Sequence, residues 1–213
     1  SKIMFFAWVF LAIVAFYGVG LTLSYQRKRN NSMTKRTSSA RTMIVLGSGG
    51  HSTEMIEIVE KMDPLRYSPR CYVLARGDTR SSEAAKEMEN KRSATNFRIV
   101  GIKRSRSLHQ SFITSIFSTI WATYECLPLI LTFRPELVLC NGPGTCVPIC
   151  LLTFFLDGLW PWREPVRIVF IESFCRVKSL SLTGKILTWF VDLFVVQWPG
   201  LATPKTKYVG RIF

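Results

Sequence analysis

A chain of 213 residues with 28 Lys and Arg against 14 Asp and Glu carries a net charge of +14, which favours anionic partners such as phosphates, anionic lipid headgroups or nucleic acid. A hydrophobic fraction of 48% excludes a disordered basic tail, and the length suits one domain plus an anchor better than two domains. Only two histidines, His51 and His109, are present, which argues against a multi-histidine metal site.

The first predicted element is a membrane-spanning helix over residues 3–23. These 21 residues carry no charge and at about 1.5 Å per residue span about 31 Å, the thickness of a hydrocarbon core. The run exceeds a signal-peptide core, and no small-x-small cleavage site follows Leu23. Arg27, Lys28, Arg29, Lys35, Arg36 and Arg41 follow it while only Lys2 precedes it, so the remainder is expected in the cytosol. Residues 24–42 form a basic linker; as flexible coil it would reach about 20 to 25 Å, keeping the domain over 43–213 close to the membrane.

From residue 43 onward, β-branched runs at 43–47, 71–75, 97–102, 137–140, 166–171 and 193–197 read as strands. Helical stretches at 53–62, 81–91, 111–131, 144–157 and 180–190 alternate with them. Such a βαβ series predicts a Rossmann-like α/β domain with a mostly parallel sheet and ligands at the carboxyl ends of the strands. The apolar stretch 113–133, interrupted by Thr123, Glu125 and Pro128, reads as a core helix. The stretch 147–162, rich in Phe and Trp, fits a core helix and an interfacial contact with the membrane equally well. The six cysteines (Cys71, Cys126, Cys140, Cys146, Cys150, Cys175) form no Cys-x-x-Cys pair, lie mostly in apolar runs and read as buried, reduced thiols.

The turns after the strands hold the candidate chemistry. The first strand runs into Gly47, Ser48, Gly49, Gly50 and His51, where backbone amides and a helix start can cradle a phosphate. A dinucleotide fingerprint would need glycine in place of Ser52, and a Walker loop would need a following Gly-Lys-Ser/Thr, so both are disfavoured. After the third strand, Lys103, Arg104 and Arg106 stand in a turn without acids, a second anion site. After the fourth come Asn141, Gly142, Pro143, Gly144 and Thr145, a Gly/Pro turn opening a helix that Thr145 could cap. After the fifth come Glu172 and Arg176, either a structural ion pair or a border of the ligand.

These turns resemble a known family, the membrane-bound subunits of the UDP-N-acetylglucosamine transferase that adds the second GlcNAc to dolichyl-diphosphate-GlcNAc in protein N-glycosylation. The resemblance covers 43–213 through Gly47-Ser48-Gly49-Gly50-His51, Cys140-Asn141-Gly142-Pro143-Gly144-Thr145, Glu172-Ser173, Val196-Gln197-Trp198-Pro199 and Tyr208-Val209-Gly210-Arg211. It implies the acceptor half of a glycosyltransferase of the B-type fold, similar to a bacterial enzyme that adds GlcNAc to a lipid-diphosphate sugar. In single-chain relatives a run like Tyr208-Val209-Gly210 leads into the domain that binds the UDP-sugar, whereas here the sequence stops at Phe213. The donor domain is therefore expected from a soluble UDP-GlcNAc-binding catalytic subunit, in a heterodimer inactive without it. The segment Tyr208, Val209, Gly210, Arg211, Ile212 and Phe213 is expected at that interface.

The resemblance also implies the endoplasmic reticulum membrane, a single pass, a domain on the cytosolic face, and no cofactor, metal or nucleic acid. The family's basic turn reads Pro-Arg-x-Arg-Glu-Val-x-Gln-Ser. Arg104, Arg106, Gln110 and Ser111 match it, while Lys103, Ser107 and Leu108 do not, so the turn is expected to hold diphosphate and not to supply an acid or base. With it, Gly47, Ser48, Gly49, Gly50, Asn141, Gly142, Gly144, Thr145 and Glu172 are expected to bind acceptor or phosphate. His51 is the candidate general base, because the positive end of a helix favours neutral imidazole. A pure membrane scaffold without catalytic residues is the alternative, and a membrane-tethered nucleotide-dependent reductase a more distant one.

Overall fold

The computed structural model describes residues 18–20, 22, 23, 26, 38–92, 96–103, 112–142, 144–159 and 165–212, with the backbone alone for 112–118 and 120. Seven parallel strands make one sheet: β1 (Thr42–Val45), β2 (Arg70–Ala75), β3 (Phe97–Ile102), β4 (Leu137–Asn141), β5 (Arg167–Ile171), β6 (Leu193–Val196) and β7 (Lys207–Tyr208). Between them lie α1 (Gly50–Glu60), α2 (Thr79–Lys91), α3 (Phe112–Phe133), α4 (Cys146–Leu159) and α5 (Leu182–Leu187). The strand order is β3-β2-β1-β4-β5-β6-β7. The chain thus winds outward from β1 to β3, then returns through α3 to place β4 on the other side of β1. That reversal opens a crevice at the carboxyl ends of β1 and β4, the place where doubly wound sheets bind ligands.

Both faces of the sheet are covered, which is why its strands read as continuous apolar runs. Met43, Val45, Cys71, Val73, Val138, Cys140, Ile168 and Phe170 join a core with α3, α4 and α5. Ile44, Leu46, Tyr72, Leu74 and Leu139 join the other with α1 and α2. On α3 the buried Ala122, Cys126, Leu129, Ile130 and Phe133 face inward, while Trp121 and Tyr124 are exposed. Pro128 sits inside this helix without ending it.

The second core is crossed by one charge pair. Arg70 donates from Nε to Glu89 Oε1 at 2.5 Å and from Nη2 to Oε2 at 2.9 Å, and both side chains are almost wholly buried. Its Nη1 donates to the carbonyls of Pro64 and Tyr67 at 2.7 and 2.8 Å. The Tyr72 hydroxyl donates to Glu89 as well, and burial followed by that carboxylate pushes the phenol's pKa up.

The C-terminal segment joins the sheet: β7 pairs with β6, Val209 N donates to Val196 O at 3.2 Å, and Ile212 packs on the second core. Two expectations need correction. The fifth helix is shorter than 180–190, because Ser181 caps it by accepting from Gly184 N, and its regular turns end at Leu187. Cys175 is exposed while the other five thiols are buried. The expected span over 3–23 lies mostly outside the described residues. Residues 18–20 are helical, and a Cβ added to Gly20 would stand 2.5 Å from Phe155 Cε2, so this backbone lies against α4. Among the described residues no helix is long and apolar enough to cross a membrane.

Candidate functional site

The glycine loop bends from β1 into α1 at Gly49, whose φ of 62° and ψ of −130° suit a residue without Cβ. A Cβ built on Gly49 or Gly50 would meet nothing within 4 Å, so the loop fronts open space. The first amides of α1 have no earlier carbonyl in the helix to serve, and the helix end carries partial positive charge. Together these suit an anion. Ser52, where a dinucleotide fold would have glycine, is buried; its Oγ donates to Gly47 O and lies 2.7 Å from Ser81 Oγ. It ties the loop to the first turn of α2.

His51, half-buried in the first turn of α1, rests on the turn after β4. A Cβ on Gly142 would stand 2.3 Å from His51 Cε1 and 2.4 Å from Nδ1, and Gly142 has φ of 66°, so only glycine admits the ring. Two loops that the sequence separates by about ninety positions thereby share one contact at the switch point. His51 Nδ1 is buried and has no hydrogen-bond partner among the described residues.

One turn along α1 from His51, Glu54 joins three elements. It accepts from Asn141 Nδ2 at 2.7 Å and from Ser173 Oγ at 2.8 Å. Sequence reasoning missed it, since a glutamate near a helix start reads as a solvated surface charge; its spacing of three from His51 was the available signal. Asn141 is wholly buried, and its Oδ1 has no partner among the described residues. Gly144 is exposed and Thr145 buried at the entry to α4.

Glu172 is held differently from Glu54. Its oxygens accept from Ser173 N at 3.2 Å, Ser181 N at 2.9 Å and Ser181 Oγ at 3.0 Å, so the carboxylate braces its own loop. The Glu172 carbonyl accepts from Gln197 Nε2 at 3.1 Å, and Gln197 Oε1 accepts from Ile212 N at 3.2 Å. The C-terminal segment is therefore fastened to the β5 turn. Arg211 lies over the Phe174 ring at 4.6 Å, and that ring stacks on Trp198 at 5.0 Å. Next to Asn141, Cys140 Sγ lies 3.4 Å from Cys150 Sγ, and burial pushes the Cys140 and Cys146 thiols up, away from the reactive thiolate form.

Arg104, Arg106, Pro143 and Phe213 lie outside the described residues. Strand order sets β3, which leads into the basic turn, two places from β1, about 10 Å away at the usual strand spacing. Lys103, just after β3, donates from its backbone to Glu125 Oε2 at 3.0 Å and sets Nζ 5.7 Å from the Trp121 ring. Among the described residues no three His, Cys, Asp or Glu side chains are grouped to hold a metal.

Residues 42–212 match the family model described as oligosaccharide biosynthesis protein Alg14 like. The mouse UDP-N-acetylglucosamine transferase subunit ALG14 is 44% identical over 184 residues, covering 82% of this chain and 83% of its own. The protein of the same name in Schizosaccharomyces pombe is 38% identical over 207 residues, covering 95% and 97%. Among solved structures, Acinetobacter baumannii MurG matches with a TM-score of 0.59 at 12% identity, over 80% of this chain and 45% of that one. At that identity the likeness establishes a shared parallel α/β architecture. Because the family model runs from β1 to the residue that closes the second core, and full-length relatives align over most of their length, the chain belongs to the Alg14 family.

Proposed function

We propose that the chain is the acceptor-binding subunit of a UDP-GlcNAc transferase, holding dolichyl-diphosphate-GlcNAc at the switch point between β1 and β4. The seating of the His51 ring on Gly142 carries this reading, since it joins a proton acceptor, an anion-ready helix start and the β4 turn in one crevice. In the reaction the acceptor hydroxyl attacks the anomeric carbon of UDP-GlcNAc. The new C–O bond forms on the face opposite the breaking bond to UDP, the bonding pair leaves with UDP, and His51 takes the hydroxyl proton. The names of the relatives support the donor sugar, and their designation as subunits supports a donor domain on another chain. Hydropathy over 3–23 supports a single-pass anchor, the Arg and Lys residues that follow it support a domain on the cytosolic face, and the family's place in oligosaccharide biosynthesis supports the endoplasmic reticulum membrane. The direct test is GlcNAc transfer to the lipid acceptor with and without the soluble subunit. Transfer by this chain alone, free of any co-purifying protein, would remove the half-enzyme reading.

Two outcomes refine the proposal. Replacing Arg104 and Arg106 together by alanine takes away two cations from the basic turn and is expected to raise the acceptor KM by about tenfold or more, with the UDP-GlcNAc KM unchanged; an unmoved acceptor KM would exclude the turn from diphosphate binding. At the C-terminal segment, truncation would also remove β7 and the core contact of Ile212. Tyr208 and Val209, each 46% exposed, are the better probes. Tyr208→Lys with Val209→Lys should release the soluble subunit from membranes while leaving the domain folded, since neither side chain is buried. Equal recovery of the subunit in a pull-down would move the interface elsewhere.

A further inference from the structure

Glu54 has no part in the mechanism above, yet it is the bridge among the three turns. Ser173 Oγ accepts from Cys175 N at 3.3 Å, so its own proton goes to Glu54 Oε1 at 2.8 Å. An ionised carboxylate only accepts, so Asn141 must turn its NH2 toward Glu54 Oε2, 2.7 Å away. That orientation leaves Asn141 Oδ1 facing away from Glu54 in a fully buried side chain, with no donor among the described residues. The next residue, Gly142, carries the His51 ring. A buried acceptor beside the candidate base therefore awaits a donor, and its orientation is set by Glu54.

We infer that Glu54 is a positioning residue that fixes the Asn141 amide so that Oδ1 accepts a hydrogen bond from an O–H or N–H of the acceptor sugar. The inference rests on the acceptor-binding reading above and narrows the role of Asn141 from acceptor or phosphate to the sugar. An ionised diphosphate offers acceptors alone, whereas Asn141 Oδ1 needs a donor, and a phosphate there would face the Glu54 carboxylate. A GlcNAc unit offers several hydroxyl protons and an acetamido N–H.

The experiment uses the full chain with its soluble subunit, and transfer by the unsubstituted complex in the same assay tests the acceptor-binding reading separately. Asn141→Ala should raise the KM for the lipid-diphosphate-GlcNAc acceptor about tenfold, the weight of one hydrogen bond to a buried group. The inhibition constant of sugar-free polyprenyl diphosphate and the KM for UDP-GlcNAc should stay put. Asn141→Asp sets two carboxylates against each other and should lower kcat/KM for the acceptor about 10²-fold through misplacement of the turn. Adding Glu54→Gln to it restores one donor facing one carboxylate, keeps the net charge of the original pair and still presents an acceptor oxygen; activity should return to within about tenfold of the starting protein. Equal weakening of the sugar-free diphosphate by Asn141→Ala would put Asn141 back on the phosphate. A double variant no better than Asn141→Asp, or a fall that follows melting temperature alone and moves both substrates together, would deny Glu54 its positioning role.

Discussion

Replacing His51 by alanine in the assembled transferase is expected to cut kcat by about 10²- to 10⁴-fold, the range a positioned general base supplies, while recruitment of the soluble subunit continues. The two readouts separate because of where the ring lies. His51 rests on Gly142 at the switch point, whereas the proposed docking segment runs along β7 on the edge of the sheet, three strands beyond β4. A scaffold without catalytic residues predicts that turnover, like recruitment, is unaffected. Kinetics of transfer alongside membrane co-sedimentation of the soluble subunit would decide between them, and a His51→Ala complex with normal turnover would end the assignment of the base. Alanine at this position vacates the space over Gly142 and leaves the loop's own ties, from Ser52 to Gly47 and Ser81, in place. A loss of turnover would therefore report on chemistry more than on folding.

The largest effect on stability is expected at Glu89. Changing it to leucine would strand the buried Arg70 guanidinium, which now meets Glu89 through two nitrogens, and would leave the Tyr72 hydroxyl without its acceptor. Removing one member of such a pair costs about 3 to 5 kcal/mol, which in a domain of this size is on the order of 10 °C in Tm. The Pro64 and Tyr67 carbonyls retain part of the guanidinium's hydrogen bonding and set the lower end of that range. Substituting both partners, Arg70→Met with Glu89→Leu, should recover much of the loss, since the desolvated charge then disappears. Urea unfolding of the parent, Glu89→Leu and the double variant measures it, and a Glu89→Leu protein within about 1 kcal/mol of the parent would mean that the guanidinium finds other acceptors.

Much of this architecture was readable from the chain because a parallel sheet covered on both faces writes its strands as short apolar runs. All six expected strands are present, and the glycine loop and the Asn141 turn flank the crevice that the βαβ alternation predicts. The seventh strand was not readable: Lys207 and Tyr208 are two exposed residues recruited by the edge of β6, with no apolar run of their own. Nor could alternation reveal that Glu172 turns into its own loop. The carboxylate that bridges the switch point is Glu54, and that difference depends on which hydroxyls and amides lie within 3 Å, a matter of tertiary register. The seating of His51 on Gly142 was hidden for the same reason, although the two motifs containing them were conspicuous.

The placement of β1 between β2 and β4 also governs how the domain can be made. Backbone pairing joins β1 to its early neighbour β2 and to β4, and Arg41 N reaches Glu136 across 95 residues of chain. At a translation rate of about 5 to 20 residues per second, β1 waits roughly 5 to 20 s for that second neighbour. Over this interval the inner edge of β1 stands as an unpaired apolar ribbon, open to mispairing with another nascent chain. The half built from β1, β2, β3, α1 and α2 is thus the vulnerable species during synthesis, and codon-dependent slowing between residues 103 and 136 should increase its capture by chaperones without altering the finished protein.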